Sequence, residues 1–263
     1  MNKPSVFLPF WFLYKKEVGR FVRVIGQTIF TPVINSFLYL LIFGVSLGRS
    51  INMDSEYSYL AFLIPGLIMM SVLNNAYQNT ASSIVTSKFH GDLQDLRTVP
   101  LSPIQIVWAY AFGGLSRGLL VGVITYIVGS IFYYVQEAGF LFPHSAIYLL
   151  AFLIIGGVSF AFLGISVSFW ARNFDQMSAV SAFILLPLTY LGGVFYSIDI
   201  LHPFWRQLSE FNPLLYFING VRYGLIGVSD VSAPKALLVL VISMFFLLAL
   251  ALRSIHRGHY TRW

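Results

Sequence analysis

Long charge-free apolar runs divide this chain. Residues 24–48 contain no Asp, Glu, Lys or Arg, and neither does the apolar stretch 59–84. Further runs cover 104–134, broken by Arg117 alone, then 146–170, 176–196 and 235–252, the last charge-free from Ala236 onward. Each comes close to the ~20 apolar residues that a helix needs to cross a hydrocarbon core of about 30 Å. The pattern predicts an all-α protein with six membrane spans. One more apolar stretch, Phe211 to Val221, is too short to cross and has Asn212-Pro213 near its start. The segment 198–228 is therefore predicted to form re-entrant or interfacial helices that return to the side they left.

Ahead of the first span, Phe7, Trp11, Tyr14, Val18, Phe21 and Ile25 recur at three- and four-residue steps, while Lys15, Lys16, Glu17, Arg20 and Arg23 fill other faces. That spacing predicts an amphipathic helix over 4–23, lying in the membrane interface with its basic groups toward the headgroups. Two roles fit it: a plain anchor, or a connecting helix that also touches a cytoplasmic partner, with Glu17 the one acid in its sequence.

Composition agrees with the periodicity. The chain has 263 residues, 57% hydrophobic and 10% charged, with a mean hydropathy of +0.77. A soluble domain carries roughly a quarter charged residues because its surface meets water. Cysteine is absent, which excludes disulfides, thiolate nucleophiles and Cys-ligated metal sites. No cleavable signal peptide is evident, since the apolar Val6–Leu13 precedes the basic cluster and no small-residue cleavage site follows. A single polytopic domain over 1–263 is the simplest organisation.

Basic residues set the expected orientation, because they collect on the cytoplasmic side. Lys3, Lys15, Lys16, Arg20 and Arg23 precede the first span. Lys88 and Arg97 follow the second, Arg172 the fourth, and Arg253, Arg257 and Arg262 the last. Only Arg49, Arg206, Arg222 and Lys235 fall on the other side. Both termini are expected to be cytoplasmic.

Four segments invite a mechanistic reading. The loop around 89–101 mixes Phe89, Leu93 and Leu96 with Asp92, Asp95 and Arg97. Asp92 can cap a short helix that Pro100 ends, presenting leucines to a groove on another protein, though a solvated loop fits equally. In the second span Asn74/Gln78 and Asn75/Asn79 are i, i+4 pairs that stack along one helix side. Amides in hydrocarbon need partners or water, so this side is either interhelical glue or the lining of a path. Gly114, Gly118 and Gly122 give the third span a smooth groove. Beside that groove lies Arg117, an intramembrane charge with either a functional role or a structural one. Pro187 with Gly192-Gly193 can bend the fifth span, or merely ease its packing.

Absences separate the classes. None of the ten acids or five histidines falls inside the predicted spans, which disfavours a proton-coupled secondary transporter. An intramembrane lipid-modifying enzyme needs a constellation at the interface, and His202 near Asp199 has no evident third member. The phosphate loop Gly-x-x-x-x-Gly-Lys-Ser/Thr does not occur.

Lys16-Glu17-x-x-Arg20-Phe21-x-Arg23, Pro65-Gly66-Leu67-Ile68-Met69-Met70-Ser71-Val72, Pro187 through Ser197 and Leu208-Ser209-x-x-Asn212-Pro213, taken as a collinear set, resemble the ABC-2 type transporter permeases. Their YadH-type bacterial inner-membrane branch is the most similar. The resemblance implies the permease subunit of an ATP-driven exporter of amphipathic or lipid-like cargo: a homodimer in the inner membrane, joined to two copies of a cytoplasmic ABC ATPase that holds ATP and Mg, with no cofactor, catalytic residue, metal site or nucleic acid on this chain. It also implies a coupling helix at 89–101 and ATPase contacts at Glu17, Phe89, His90, Asp92, Leu93, Asp95, Leu96 and Arg97. Spans two and five of relatives face the path, which implies lining by Asn75, Gln78, Asn79 and Tyr190.

Overall fold

The helix Tyr59–His90 (α3) is the central post of the molecule. In this computed structural model, which describes residues 7–48, 57–258 and 260, α3 is buried around nearly its whole circumference and packs against the helices that follow and flank it. A helix apolar all round belongs in the middle of a bundle. Ser58 starts it by accepting from the Ala61 N–H, and Gly91, at φ +87°, ends it in the left-handed region where a Cβ is disfavoured.

Around this post stand α1 (Phe7–Val22), α2 (Ile25–Tyr39, extended by a wide-turned segment Leu40–Leu47), α4 (Pro103–Glu137), α5 (Ala146–Trp170), α6 (Phe174–Val180), α7 (Leu186–Leu191), α8 (Pro203–Glu210), α9 (Pro213–Ile226) and α10 (Ala233–Arg257). No strand occurs among the described residues. Among the described residues six helices are long and apolar enough to cross a membrane: Ile25–Ser46, Tyr59–His90, Pro103–Glu137, Ala146–Trp170, Phe174–Leu191 and Ala233–Arg257. Two acids reach the ends of these helices, Glu137 as the last residue of α4 and Asp175 as the second of α6. Lys3, Arg49 and Arg262, weighed for orientation, lie outside the described residues, as do positions 4–6 of the 4–23 helix.

Glycine brings α4 against α3. A Cβ on Gly118 would stand 2.8 Å from the Val72 carbonyl oxygen, and one on Gly114 2.8 Å from that of Ala76. The small-residue groove is thus filled by α3 backbone, and Arg117 is held beside the seam.

The fifth span differs from its expected extent of 176–196. Between α6 and α7 the residues Ser181–Leu185 form a wider helical turn, just ahead of Pro187, which has no N–H to donate and whose ring displaces the carbonyl four residues back. The helix then stops at Leu191 because Gly193 turns to φ +78°. Within 198–228 the chain forms a short turn at Ile198–Ile200, then α8 and α9. At 1.5 Å per residue the fourteen residues of α9 reach about 21 Å, short of a bilayer core.

Two groups of contacts mark the two ends of the bundle. At one, Lys88 Nζ donates to the carbonyls of Ser168, Phe169 and Ala171 at 2.7, 2.9 and 3.1 Å, capping the C-terminus of α5. Nearby the Arg97 guanidinium lies 4.2 Å from the Tyr260 ring centroid. At the other end, the N–H groups of His144 and Ser145 donate to the carbonyls of Leu225 and Gly224 on α9.

Candidate functional site: a polar cavity and a helix clasp on one post

Helix α2 carries Gln27, Thr31 and Asn35 one turn apart, all exposed, with Thr28 and Ser36 buried beside them. Opposite, α3 presents Ser71, Asn74 and Asn75. Together with Arg117 from α4 and Leu186 from α7, these groups line a cavity of about 340 Å³. A hydroxyl relay ties its walls together: Ser36 Oγ lies 3.3 Å from Thr125 Oγ1, which donates to Ser71 Oγ at 3.1 Å. Tyr39, at the rim, meets the Tyr190 hydroxyl at 3.4 Å. The α2 stripe went unnoticed in the sequence, although its i, i+4, i+8 spacing of amide, hydroxyl and amide was a legible signal.

One turn further along α3 the polar face serves another purpose. Arg20 of α1 donates to the carbonyl and, at 3.0 Å, to the Oδ1 of Asn79, and at 3.1 Å to Ser82 Oγ. Ser83 donates to Glu17 Oε1 at 2.8 Å, while Glu17 Oε2 stands 3.8 Å from Arg20 Nε. A Cβ on Gly113 would sit 2.5 Å from that of Glu17, so α4 leaves room for the acid only by having glycine there. Burial pushes the Glu17 carboxyl above its ordinary value of 4.5, against the opposing pull of Arg20, the Ser83 hydrogen bond and Lys16. Tyr14 adds a link to α4, its hydroxyl 3.0 Å from Ser116 Oγ.

The site residues expected from the sequence therefore divide. Asn75 lines the cavity, and Tyr190 adjoins it through Tyr39. Gln78 is exposed away from it. Asn79, expected on the path, is fully buried in the clasp with Arg20. Glu17, expected at a partner contact, is fully buried as well, because its carboxylate is drawn in by Ser83 and Arg20. Within 89–101, expected to be a coupling helix, Phe89 and His90 finish α3 and a tight helical turn covers Asp92–Arg97. Its start is the left-handed Gly91, without a capping bond from Asp92. Leu93 points inward with no exposure and Leu96 is partly buried, since a loop this close to the bundle gains more by burying leucine than by offering it. His90, Asp92, Asp95 and Arg97 remain on the surface, as does Phe89.

Six helices long and apolar enough to cross a membrane, with a polar cavity of about 340 Å³ among four of the bundle's helices, define a multi-pass membrane protein. The family model described as ABC-2 type transporter matches residues 9–226, and the chain belongs to that family as a transport permease. It is 40% identical over 248 residues, 94% of either chain, to the protein named inner membrane transport permease YadH of Escherichia coli (strain K12). It is also similar to nodulation protein J of Rhizobium leguminosarum bv. viciae, 26% identical over 223 residues and 82% of each, and to that of Neorhizobium galegae, 21% identical over 252 residues, 95% of this chain and 94% of the relative.

Proposed function

We propose that this chain is the membrane-spanning subunit of an ATP-driven exporter in the bacterial inner membrane, with both termini cytoplasmic, and that it moves an amphipathic or lipid-like cargo using ATP hydrolysed on a separate subunit. In this reading α1 lies in the cytoplasmic membrane interface, α8 and α9 form a re-entrant pair on the far side, and Asp92–Arg97 receives the ATPase. Two copies of the chain close around the path, each with one ATPase copy.

One observation carries the reading. The same helix, α3, clasps α1 through Asn79, Ser82 and Ser83 and, one to two turns further on, lines the cavity with Ser71, Asn74 and Asn75. A push on α1, or on the turn beyond α3 that buries Leu93, is transmitted along a helix that cannot bend independently of its buried neighbours. The cavity wall formed by Gln27 and Asn35 is exposed on a spanning helix, and amides left open to lipid are unsatisfied, which supports a second copy closing that side of the cavity.

Tagged full-length chain is purified from its own cells in mild detergent, and ATPase activity is measured on the eluate. The expected result is co-purification of a protein with a Walker phosphate loop, lost when Asp92 and Asp95 are both changed to Lys while the permease still inserts. Absence of any such protein, or its retention by the double variant with unchanged hydrolysis, overturns the proposal.

A further inference from the structure

Two arginines lie within the helical bundle, and the chain treats them in opposite ways. Arg222 on α9 has no exposure. Its Nη2 donates to the Gly193 carbonyl at 2.7 Å, its Nη1 to Asn219 Oδ1 at 3.2 Å, and its Nε to the Phe62 carbonyl at 3.4 Å. The guanidinium lies 3.6 Å from the Phe62 ring centroid and 3.7 Å from Asp230 Oδ2. Every face of that cation is answered from within the chain, and its role is structural.

Arg117 is answered by nothing. Among the described residues it has no hydrogen bond and no ion pair, and its Nε is buried without a partner. It is fourteen residues into the thirty-five of α4, so roughly 20 Å from that helix's start at 1.5 Å per residue, which is near the middle of the span. No Asp or Glu lines the cavity beside it. A partly exposed guanidinium held mid-span without a counter-charge, its Nε buried, is disfavoured unless something else completes it. The polar groups that line the cavity with it are neutral and able to donate as well as accept: the amides of Gln27, Asn35, Asn74 and Asn75, the last already donating one N–H to the Ser71 carbonyl, and the hydroxyls of Thr31 and Ser71. The remaining wall is apolar, from Leu67, Met70 and Leu186. A planar fork of N–H groups with several neutral groups able to donate in the same cavity matches a tetrahedral oxyanion with many acceptor oxygens. The cavity volume of about 340 Å³ holds a headgroup and not a whole lipid.

We propose that the Arg117 cavity binds the phosphate-ester headgroup of an amphiphile, with the acyl part resting on the apolar wall, and that this anion is what selects the cargo. The inference rests on the reading of the chain as a transport subunit. It narrows that subunit's cargo to anionic phosphate amphiphiles and excludes cationic ones, which Arg117 repels.

The test is binding by the purified full-length chain in an uncharged detergent, with no ATPase present. Phosphatidic acid, phosphatidylcholine with the same acyl chains, and inorganic phosphate are compared as ligands. Wild type is expected to prefer phosphatidic acid over phosphatidylcholine at least tenfold, with millimolar inorganic phosphate failing to displace the lipid. Arg117→Gln is expected to abolish the preference and, without lipid, to melt at or above the wild-type temperature, since it removes an uncompensated charge. A merely structural arginine would lower that temperature. Asn35→Leu, on an exposed α2 position, is expected to weaken the preference several-fold while Arg117→Lys retains it, so the site is tested even if Arg117→Gln does not accumulate. An equal lipid preference in wild type, Arg117→Gln and Asn35→Leu overturns the proposal. Displacement of the lipid by inorganic phosphate overturns the amphiphile and leaves a soluble anion. Because no ATPase takes part, a failure here leaves the coupling reading untouched, and a failure to recruit an ATPase leaves this preference measurable.

Discussion

Ser83 on α3 donates a 2.8 Å hydrogen bond to the Glu17 carboxylate of α1, joining the helix that precedes the first span to the post at the centre of the bundle. The bond is short, fully buried and reinforced by Arg20, which grips Asn79 one turn away.

Glu17 makes stability depend on pH in a defined sense. Its carboxyl titrates above the ordinary 4.5 because it is buried, so between 4.5 and its raised value the folded chain holds more protons than the unfolded one. Stability conferred by the protonated group is complete below 4.5 and is lost as pH rises through the raised value. The difference in melting temperature between wild type and Glu17→Gln is expected to move against wild type across that window and to level off above it. Thermal melts of both proteins over a pH series check this.

Removing the carboxylate altogether is a harsher change. Glu17→Ala leaves Arg20 facing α3 without its ion-pair partner and Ser83 without its acceptor, with an expected loss of about 1–3 kcal/mol. Limited proteolysis is expected to cut α1 first, with the spans protected.

Gly118→Leu drives a side chain into the Val72 carbonyl, which a Cβ alone would approach to 2.8 Å. Overpacking of this kind costs typically 1–3 kcal/mol. Here it separates α3 from α4 and is expected to lower the melting temperature, whereas an alanine at the exposed Gly26, which meets nothing within 4 Å, leaves it unchanged.

Asp230 answers the buried Arg222 and also accepts from Ser197 Oγ at 2.8 Å and from the Ile198 N–H at 3.3 Å. Asp230→Ala leaves the guanidinium uncompensated, with an expected loss of about 3–5 kcal/mol. Arg117→Gln is expected to lose nothing, and a side-by-side melt of the two variants separates the structural arginine from the free one.

Leu93 and Asp95 share the turn beyond α3 yet differ in kind. Leu93→Ala empties a fully buried position and is expected to cost about 2–5 kcal/mol. Asp95→Lys changes only the surface and is expected to leave the melting temperature unaltered while weakening ATPase recruitment.

The six spans were legible because hydrocarbon imposes one simple demand, some twenty residues without charge, and this chain meets it six times. The α3–α4 groove was legible for a similar reason, since three glycines at a spacing of four have little other use in a spanning helix. Pro187 likewise signalled a break, although the wide turn before it and the stop at Gly193 are set by the tertiary structure. Composition, length and periodicity are properties of one helix in one solvent, and the amino-acid order by itself determined them: an all-helical membrane protein of six spans, with polar stripes that must face away from lipid.

Which group each stripe faces is a property of pairs of helices, and only the tertiary structure decided it. Asn75 and Asn79 are one turn apart on the same helix and look alike as letters, yet one lines the cavity and the other holds Arg20. Lys88 reads as a loop charge and proves to cap α5. Arg222 and Arg117 are the sharpest case, because a cation's role follows from the partners that other segments bring within about 4 Å of it: Phe62, Gly193 and Asp230 converge on the first, and the fold leaves the second facing an open polar cavity.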